Sequence, residues 1–381
     1  MHRFTALLQC FCALSLILAL SPDVHAATTT RHVFYFTSNG TITTYNVNPT
    51  TGVPKQAGTP ITISGAKWID NIVPAPNDHF IYVSWPDANN NASLSVYATD
   101  SSGVPQGTAV QTLSTANWGS LMIHPSGEFA YVMQTTSGQN GYSEALYLYH
   151  IDQTTGTLTQ DPKIQATYGP DYFYLETLVS FNKAGTRLYD LWSVNFDGEN
   201  NYYYSAHPIN TTSGQLSPDV GTIFTASDYT GVDQQYFSTK YILNLHNDNS
   251  GPSVLNVYPN VKNPSQPQFT CTQTMLNACG TAYNFWLSVD EHYVFLPDTS
   301  DIAIGRIDGS ANQIVETGVI PTSGYVFLYP FGLDNRLIYG DVGGGVIQVY
   351  VFDSVSGTSM SGGSITFDPT KFYSLFSAIR R

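Results

Sequence analysis

The chain has 381 residues and a formal net charge of −14 at neutral pH, and only 11% of its residues are charged. So acidic a chain would repel nucleic acid and anionic membrane surfaces, and we expect neither as a partner. The 26 tyrosines and 31 glycines are typical of short strands and tight turns, and they argue against long surface helices.

The N-terminus reads as a secretory signal peptide. Met1 to Arg3 carry positive charge, Ala6 to Leu20 form an apolar run, and a small-residue cleavage pattern ends at Ala26. The run is shorter than the roughly 20 residues that usually span a membrane, so cleavage is favoured over the alternative of an uncleaved anchor. We therefore predict a leader over residues 1–26, one domain over residues 27–381, and secretion to the periplasm or the extracellular space.

A repeat of roughly 43 to 55 residues runs through the rest of the chain. Each unit has a short apolar strand, a polar hairpin, a strand rich in aromatic and β-branched residues, and a turn that starts with Asp or Asn and ends with Gly. Asp or Asn bonds the backbone of such a turn, and Gly takes its positive φ. Four short antiparallel strands at this period are typical of a β-propeller. The turns are Asn48 to Gly52, Asp100 to Gly103, Asp152 to Gly156, Asn210 to Gly214 and Asp353 to Gly357.

The first repeat, which begins at His32, lacks an innermost strand of its own, whereas six later segments supply one each. The C-terminal segment 372–379 has the alternation of a strand and can fill the vacant position. Pairing both termini in one sheet would remove exposed sheet edges. The sequence therefore predicts an all-β fold, a seven-bladed β-propeller closed by pairing of its N- and C-terminal segments.

Two cysteines follow the predicted leader, Cys271 and Cys279. Because a secreted chain meets an oxidising compartment, we predict a local disulfide between them. The alternative is a metal-binding or redox pair, although no further Cys or His is near in sequence.

The hairpins and Thr-Thr-Gly turns, with Tyr82 and Tyr131 in the strands between them, resemble the lactonase-type seven-bladed propellers. These are 6-phosphogluconolactonase-like proteins, related to the carboxymuconate cyclases. The resemblance covers nearly all of the chain after the leader, and it implies opening or closing of a lactone ring by His, Glu and Arg in a central mouth. Pro125 to Gly127 keep the turn of the family, and Asp298 to Asp301 are similar to its acidic loop. The Arg of that loop is Ile302 here, and no inner strand carries the family's His.

Candidate catalytic residues follow from position in a propeller, where loops that enter the innermost strands or join the second and third strands usually carry the site. Of the histidines after the leader, only His246 maps there, and histidine's ordinary pKa of about 6.5 suits a general base. The predicted innermost strands carry Asp70, in the strand that begins at Trp68, and Glu176. Carboxylates that face a narrow channel are partly desolvated, which raises the pKa. We predict catalytic roles for Glu176, His246 and Asp298, with turn capping as the alternative for the carboxylates.

Aromatic residues recur before the hairpins and could stack a sugar ring or another flat neutral ligand, while packing between blades is the alternative. Only Lys67 enters an innermost strand as a cation, whereas a phosphorylated lactone normally requires several Arg or Lys donors. The predicted ligand-binding residues are Trp68, Asp70, Trp118, Tyr172, Tyr283, Asp301 and Tyr325.

No EF-hand spacing, zinc motif, phosphate loop or nucleophile elbow is present. We expect neither metal nor cofactor, with Ca²⁺ at Asp298 and Asp301 as the alternative.

Two functions fit the sequence. One is a monomeric lactonase-like hydrolase of a small neutral or sugar-derived lactone, and the other is a non-catalytic propeller that binds a glycan or a protein partner.

Overall fold

The computed structural model describes residues 31–115, 121–138, 141–168, 177–182, 184–196, 199–217, 222–227, 234–237, 240–246, 253–259, 267–282, 285–288, 290–298, 301–322, 327–328, 336–368 and 373–380. These residues form strands, turns and loops, which confirms the all-β class. Within them, no helix is long and apolar enough to cross a membrane.

The described strands form seven four-stranded antiparallel sheets, numbered 1 to 7 along the chain. Sheet 1 combines, in spatial order, β28 (Tyr373–Arg380), β1 (Arg31–Ser38), β2 (Thr41–Val47) and β3 (Pro54–Thr62). Sheet 2 has β4 (Asn71–Pro74), β5 (Phe80–Pro86), β6 (Ala92–Ala98) and β7 (Gln111–Thr115). Sheet 3 has β8 (Leu121–Ile123), β9 (Phe129–Gly138), β10 (Gly141–Ile151) and β11 (Leu158–Tyr168).

The remaining four sheets repeat the same order. Sheet 4 has β12 (Thr177–Phe181), β13 (Arg187–Phe196), β14 (Glu199–Pro208) and β15 (Thr222–Ser227). Sheet 5 has β16 (Gln234–Phe237), β17 (Tyr241–His246), β18 (Val254–Pro259) and β19 (Phe269–Thr270). Sheet 6 has β20 (Trp286–Leu287), β21 (Tyr293–Pro297), β22 (Asp301–Asp308) and β23 (Gln313–Pro321). Sheet 7 has β24 (Phe327–Leu328), β25 (Leu337–Asp341), β26 (Val346–Asp353) and β27 (Thr358–Thr366).

Sheet 1 differs from the other described sheets because its strands come from both ends of the chain. β28 pairs antiparallel with β1 in an unbroken register that runs from Arg31 opposite Arg380 to Ser38 opposite Tyr373. The C-terminal segment therefore lies beside the first repeat, in the position of an innermost strand.

The hydrophobic core lies between neighbouring sheets. Between sheets 2 and 3, the fully buried side chains of Tyr82, Leu94 and Val132 belong to one cluster. Similar clusters join five other pairs of sheets: 1 with 2, 3 with 4, 5 with 6, 6 with 7, and 7 with 1. Between sheets 4 and 5, strand β12 lies against strand β16. β5, the second strand of sheet 2, lies between two of these clusters, and every one of its residues is buried.

In sheets 2, 3 and 4, the Asp/Asn-to-Gly turn contacts the preceding sheet. In sheet 3, Asp152 Oδ1 accepts a hydrogen bond from the Thr155 N–H at 2.9 Å, and Gly156 takes a φ of +75°. The hydroxyl of Tyr82, in sheet 2, donates to the Gly156 carbonyl at 3.1 Å. A Cβ on Gly156 would lie 2.5 Å from Phe80 Cδ1. The position therefore requires glycine both for its backbone conformation and for space.

The same contact recurs around the molecule. Tyr35, in sheet 1, donates to the Gly103 carbonyl at 3.0 Å, and Tyr131, in sheet 3, donates to the Gly214 carbonyl at 2.6 Å. The repeated turn is therefore a contact between sheets as well as a hairpin.

The predicted disulfide is confirmed, since Cys271 and Cys279 are bonded. Both cysteines are buried, and Leu276 between them is 1% exposed and packs into the cluster that joins sheets 5 and 6. The bonded loop follows β19, which is only two residues long. Its apolar side chains fill the space beside a short outer strand.

Candidate functional site

The upper face is defined here as the end of the sheets where loops enter the first strands and where the second and third strands are joined. In sheet 2 it consists of segment 63–70 and hairpin 87–91. The Lys67 N–H donates to the Pro86 carbonyl and the Asp70 N–H to the Ser84 carbonyl, both at 2.9 Å. These bonds bring the segment alongside the end of β5. Asp70 therefore lies just before the innermost strand and not on it, which corrects the sequence-based placement.

Three side chains of this segment, Lys67, Trp68 and Asp70, form a group that we call the sheet 2 cluster. The Trp68 indole N–H donates to Asp70 Oδ1 at 2.5 Å. Lys67 Nζ lies 4.6 Å from the centroid of the Trp68 ring and donates to Asn90 Oδ1 at 3.1 Å. The negative face of the indole attracts an ammonium group. A cation, an aromatic ring and a carboxylate are thus held together at the upper face.

The Asp70 carboxyl is partly buried, and burial shifts its pKa. Burial raises its pKa above the ordinary value, and the hydrogen bond from Trp68 lowers it by a smaller amount. The residue as a whole is exposed, as is Lys67, and Trp68 is half-buried. Asp70 is therefore partly desolvated and still within reach of a ligand.

Asp87 fixes the hairpin that faces the sheet 2 cluster. Its carboxylate accepts hydrogen bonds from the Asn91 side-chain amide at 3.0 Å and from the N–H groups of Asn89 and Asn91 at 2.8 Å. These bonds, the one from the Asn91 side chain first, lower the pKa of Asp87. The ionised carboxylate thus holds the loop in which Asn90 accepts a hydrogen bond from Lys67.

Asp298 and Asp301 come together at the hairpin between β21 and β22 in sheet 6. Asp298 Oδ1 accepts a hydrogen bond from the Asp301 N–H at 3.0 Å, and the Asp298 N–H donates to the Asp301 carbonyl at 2.9 Å. Asp298 is only 7% exposed. Its carboxylate therefore caps a turn, as short acidic side chains commonly do. Among the described residues, no three His, Cys, Asp or Glu side chains are grouped as metal ligands would be.

The other predicted site residues are not described. His246 is the last residue of β17, and its backbone pairs with Val254, but its side chain lies outside the described part of the chain. The remaining predicted residues also lie outside it: Trp118, Tyr172, Glu176, Tyr283 and Tyr325.

Two contacts of buried histidines, His124 and His207, were missed because nothing in the sequence distinguishes these residues from histidines at exposed hairpins. His207 Nε2 lies 2.8 Å from Asp190 Oδ2, and these residues are 5% and 0% exposed. His124 Nε2 lies 2.7 Å from the Gly185 carbonyl oxygen, which connects sheets 3 and 4. The first contact joins the neighbouring strands β13 and β14 of sheet 4. The second joins two sheets, so it forms only when sheets 3 and 4 pack.

No protein-family model matches the sequence, and no curated protein matches it. Three solved structures share its architecture along almost the whole chain. The periplasmic gluconolactonase of Pseudomonas aeruginosa superposes with a TM-score of 0.59 at 12% identity, over 91% of this chain and 99% of that one. A candidate 6-phosphogluconolactonase of Bacteroides fragilis gives 0.58 at 14% identity, over 93% and 99%. Another, from Bacteroides uniformis, gives 0.57 at 17% identity, over 91% and 99%.

The chain has the fold of the lactonase-type β-propellers. The resemblance predicted from the hairpins and turns is thereby confirmed at the level of the fold. In such a fold the function depends on the side chains that the loops present, and not on the scaffold that the three structures share with this chain.

Proposed function

We propose that this protein is a secreted, monomeric seven-bladed β-propeller that binds and hydrolyses a small neutral or sugar-derived lactone at its upper face. The observation that carries the proposal is the sheet 2 cluster, in which Lys67, Trp68 and Asp70 meet at the mouth of a lactonase-type fold. A half-buried indole offers a stacking surface, while the carboxylate and ammonium offer an acceptor and donors for the ring oxygens.

The architecture that we propose is a single closed domain over residues 27–381. Seven sheets, the pairing of β28 with β1, and the hydrophobic cluster between sheets 7 and 1 support it. If the ring is closed in this way, deleting residues 372–381 removes the innermost strand of sheet 1 and should abolish cooperative unfolding. An unchanged melting temperature of the truncated protein would argue against closure.

Secretion is supported by the leader-like N-terminus and by the disulfide between Cys271 and Cys279. A periplasmic protein is also among the structures with the same fold. N-terminal sequencing of the protein recovered from outside the cytoplasm should give Ala27 as the first residue. Recovery of the uncleaved chain in the membrane fraction would contradict this proposal.

The hydrolysis that we propose is general-base catalysis. A carboxylate or imidazole takes a proton from water as the water oxygen bonds to the lactone carbonyl carbon, and the ring C–O bond then breaks as its oxygen is protonated. Asp70 suits the basic role because burial raises its pKa while it stays accessible. Glu176 and His246 are the other candidates, and Asp298 is the weakest because it caps its own turn.

A second candidate function is binding without catalysis, with a glycan as the ligand. It is favoured by the engagement of the described carboxylates, since Asp70 accepts from Trp68 and Asp298 from Asp301. The same sheet 2 cluster would bind the glycan in this case.

A lactone panel separates the two functions. Purified protein should hydrolyse unphosphorylated aldonolactones and leave 6-phosphogluconolactone essentially untouched, because a phosphate needs several cationic donors.

Asp70→Asn should reduce turnover at least about tenfold if Asp70 is the base, whereas Asp100→Asn, at the opposite end of sheet 2, should not. Dialysis against EDTA followed by added Ca²⁺ tests our expectation that no cofactor is needed. Binding of lactones without turnover would favour the second function.

A further inference from the structure

We propose that Lys67 and Asp70 together set the charge selectivity of the upper face, so that the sheet 2 cluster accepts a neutral, hydroxyl-rich ring and discriminates against both anions and cations. The inference rests on the proposed function in one respect, because it takes the ligand of this face to be derived from a sugar. It does not depend on catalysis.

Both charges are attached to the same aromatic ring. Lys67 Nζ lies over the Trp68 ring at 4.6 Å from its centroid, and Asp70 Oδ1 accepts the hydrogen bond from the indole N–H at its edge. A ligand that contacts the indole therefore experiences one positive and one negative charge at comparable distances. The two potentials oppose each other, and the net attraction for a charged ligand is small.

The groups behind the cluster hold the Lys67 ammonium in place. Asn90 accepts a hydrogen bond from Lys67 at 3.1 Å, and its hairpin is held by the bonds that Asp87 accepts. Asp87 is itself charged, but three N–H donors stabilise that charge, two backbone groups and the Asn91 amide. The Lys67 ammonium is thus fixed over the indole by a neutral amide, which leaves its charge to balance Asp70.

The ligand chemistry follows from these groups. A pyranose or lactone ring can lay its C–H face on an indole, donate a hydroxyl to a carboxylate and accept from an ammonium. A carboxylate on the ligand would meet Asp70, and an ammonium on the ligand would meet Lys67. For either charged ligand, the attraction to one of the two residues is therefore offset by repulsion from the other.

Removing one charge at a time should reverse the preference. Asp70→Asn keeps an oxygen that can accept the indole N–H and leaves Lys67 unbalanced, so the affinity for gluconate relative to methyl glucoside should rise about tenfold. Lys67→Met keeps the apolar stem and leaves Asp70 unbalanced, so the affinity for protonated glucosamine should rise by a similar factor. Isothermal titration at mildly acidic pH measures all three ligands.

The controls separate charge from folding and from catalysis. Trp68→Ala should weaken all three ligands together, and Asp100→Asn, in a turn at the far end of sheet 2, should change none. Circular dichroism and thermal unfolding should show that each variant is folded. If wild type, Asp70→Asn and Lys67→Met rank the three ligands in the same order, or if the wild type binds none of them, the inference is wrong. A reversed ranking without lactone turnover would support it while contradicting hydrolysis.

Discussion

The turns that join neighbouring sheets can be tested with a matched pair of glycine substitutions, Gly156→Ala and Gly107→Ala. Both glycines have positive φ, +75° and +57°, so an added side chain costs about 1–2 kcal/mol at either position through backbone strain. The surroundings differ. A Cβ at Gly156 would lie 2.5 Å from Phe80 Cδ1 and Cγ, whereas a Cβ at Gly107 would have no atom within 4 Å.

Phe80 has little freedom to move away from Gly156, since it is 6% exposed and packed in the cluster between sheets 2 and 3. Overpacking of such a site typically costs a further 1–3 kcal/mol. We therefore expect Gly156→Ala to lower the free energy of unfolding by about 2–5 kcal/mol and Gly107→Ala by about 1–2 kcal/mol. Denaturant titration gives both values, provided that the dependence on denaturant is unchanged. Equal losses in the two variants would refute the idea that the turn packs tightly against the preceding sheet.

Three further predictions concern stability. Tyr131→Phe leaves the buried Gly214 carbonyl without its donor, and should cost about 1–3 kcal/mol in the same titration. Replacing Cys271 and Cys279 together by serine should cost about 2–3 kcal/mol for so short a loop; free thiols in the folded, secreted wild type would contradict the disulfide. Backbone hydrogen bonds lower the pKa of Asp152, so its contribution is present above the ordinary Asp pKa of about 4 and is lost as the pH falls below it. Asp152→Asn should flatten that loss, as measured by urea midpoints at neutral and acidic pH.

The repeat made the sheet architecture readable from the sequence, because its signals are local. A turn from Asp152 to Gly156 contains its own hydrogen-bonding residue and its own positive-φ glycine. The innermost strand of sheet 2 was expected to include Trp68 and Asp70, but β4 starts at Asn71. Upstream of Asn71, two isolated backbone hydrogen bonds join Lys67 and Asp70 to β5, so an alternation pattern alone does not show where regular pairing begins.

The candidate site was only partly predictable. Trp68 and Asp70 are two residues apart, and the sequence alone placed both at the mouth. The contact between Lys67 and Asn90 spans 23 positions and depends on the hairpin that Asp87 holds in place. Such a contact follows from the packing of two loops and leaves no periodic signal. It changes the interpretation of Trp68, because the Lys67 ammonium lies over one face of its ring and a stacking ligand would have to use the other face.

The directions in which the carboxyl pKa values move separate structural carboxylates from a candidate functional one. In turns at the lower end of the sheets, hydrogen bonds lower the pKa values of Asp152, Asp308 and Asp353. The same is true of Asp87 at the upper face, which holds its own hairpin. The oxygens of these carboxylates accept hydrogen bonds from the backbone or from neighbouring side chains, and a more stable carboxylate is a weaker base.

The pKa of Asp70 moves the other way, because burial disfavours its charged form more than one indole N–H favours it. A base that must take a proton from water near neutral pH benefits from that upward shift. Among the described carboxyl groups whose pKa is shifted, the pKa of Asp70 is raised and the others are lowered, which is why we propose Asp70 as the base.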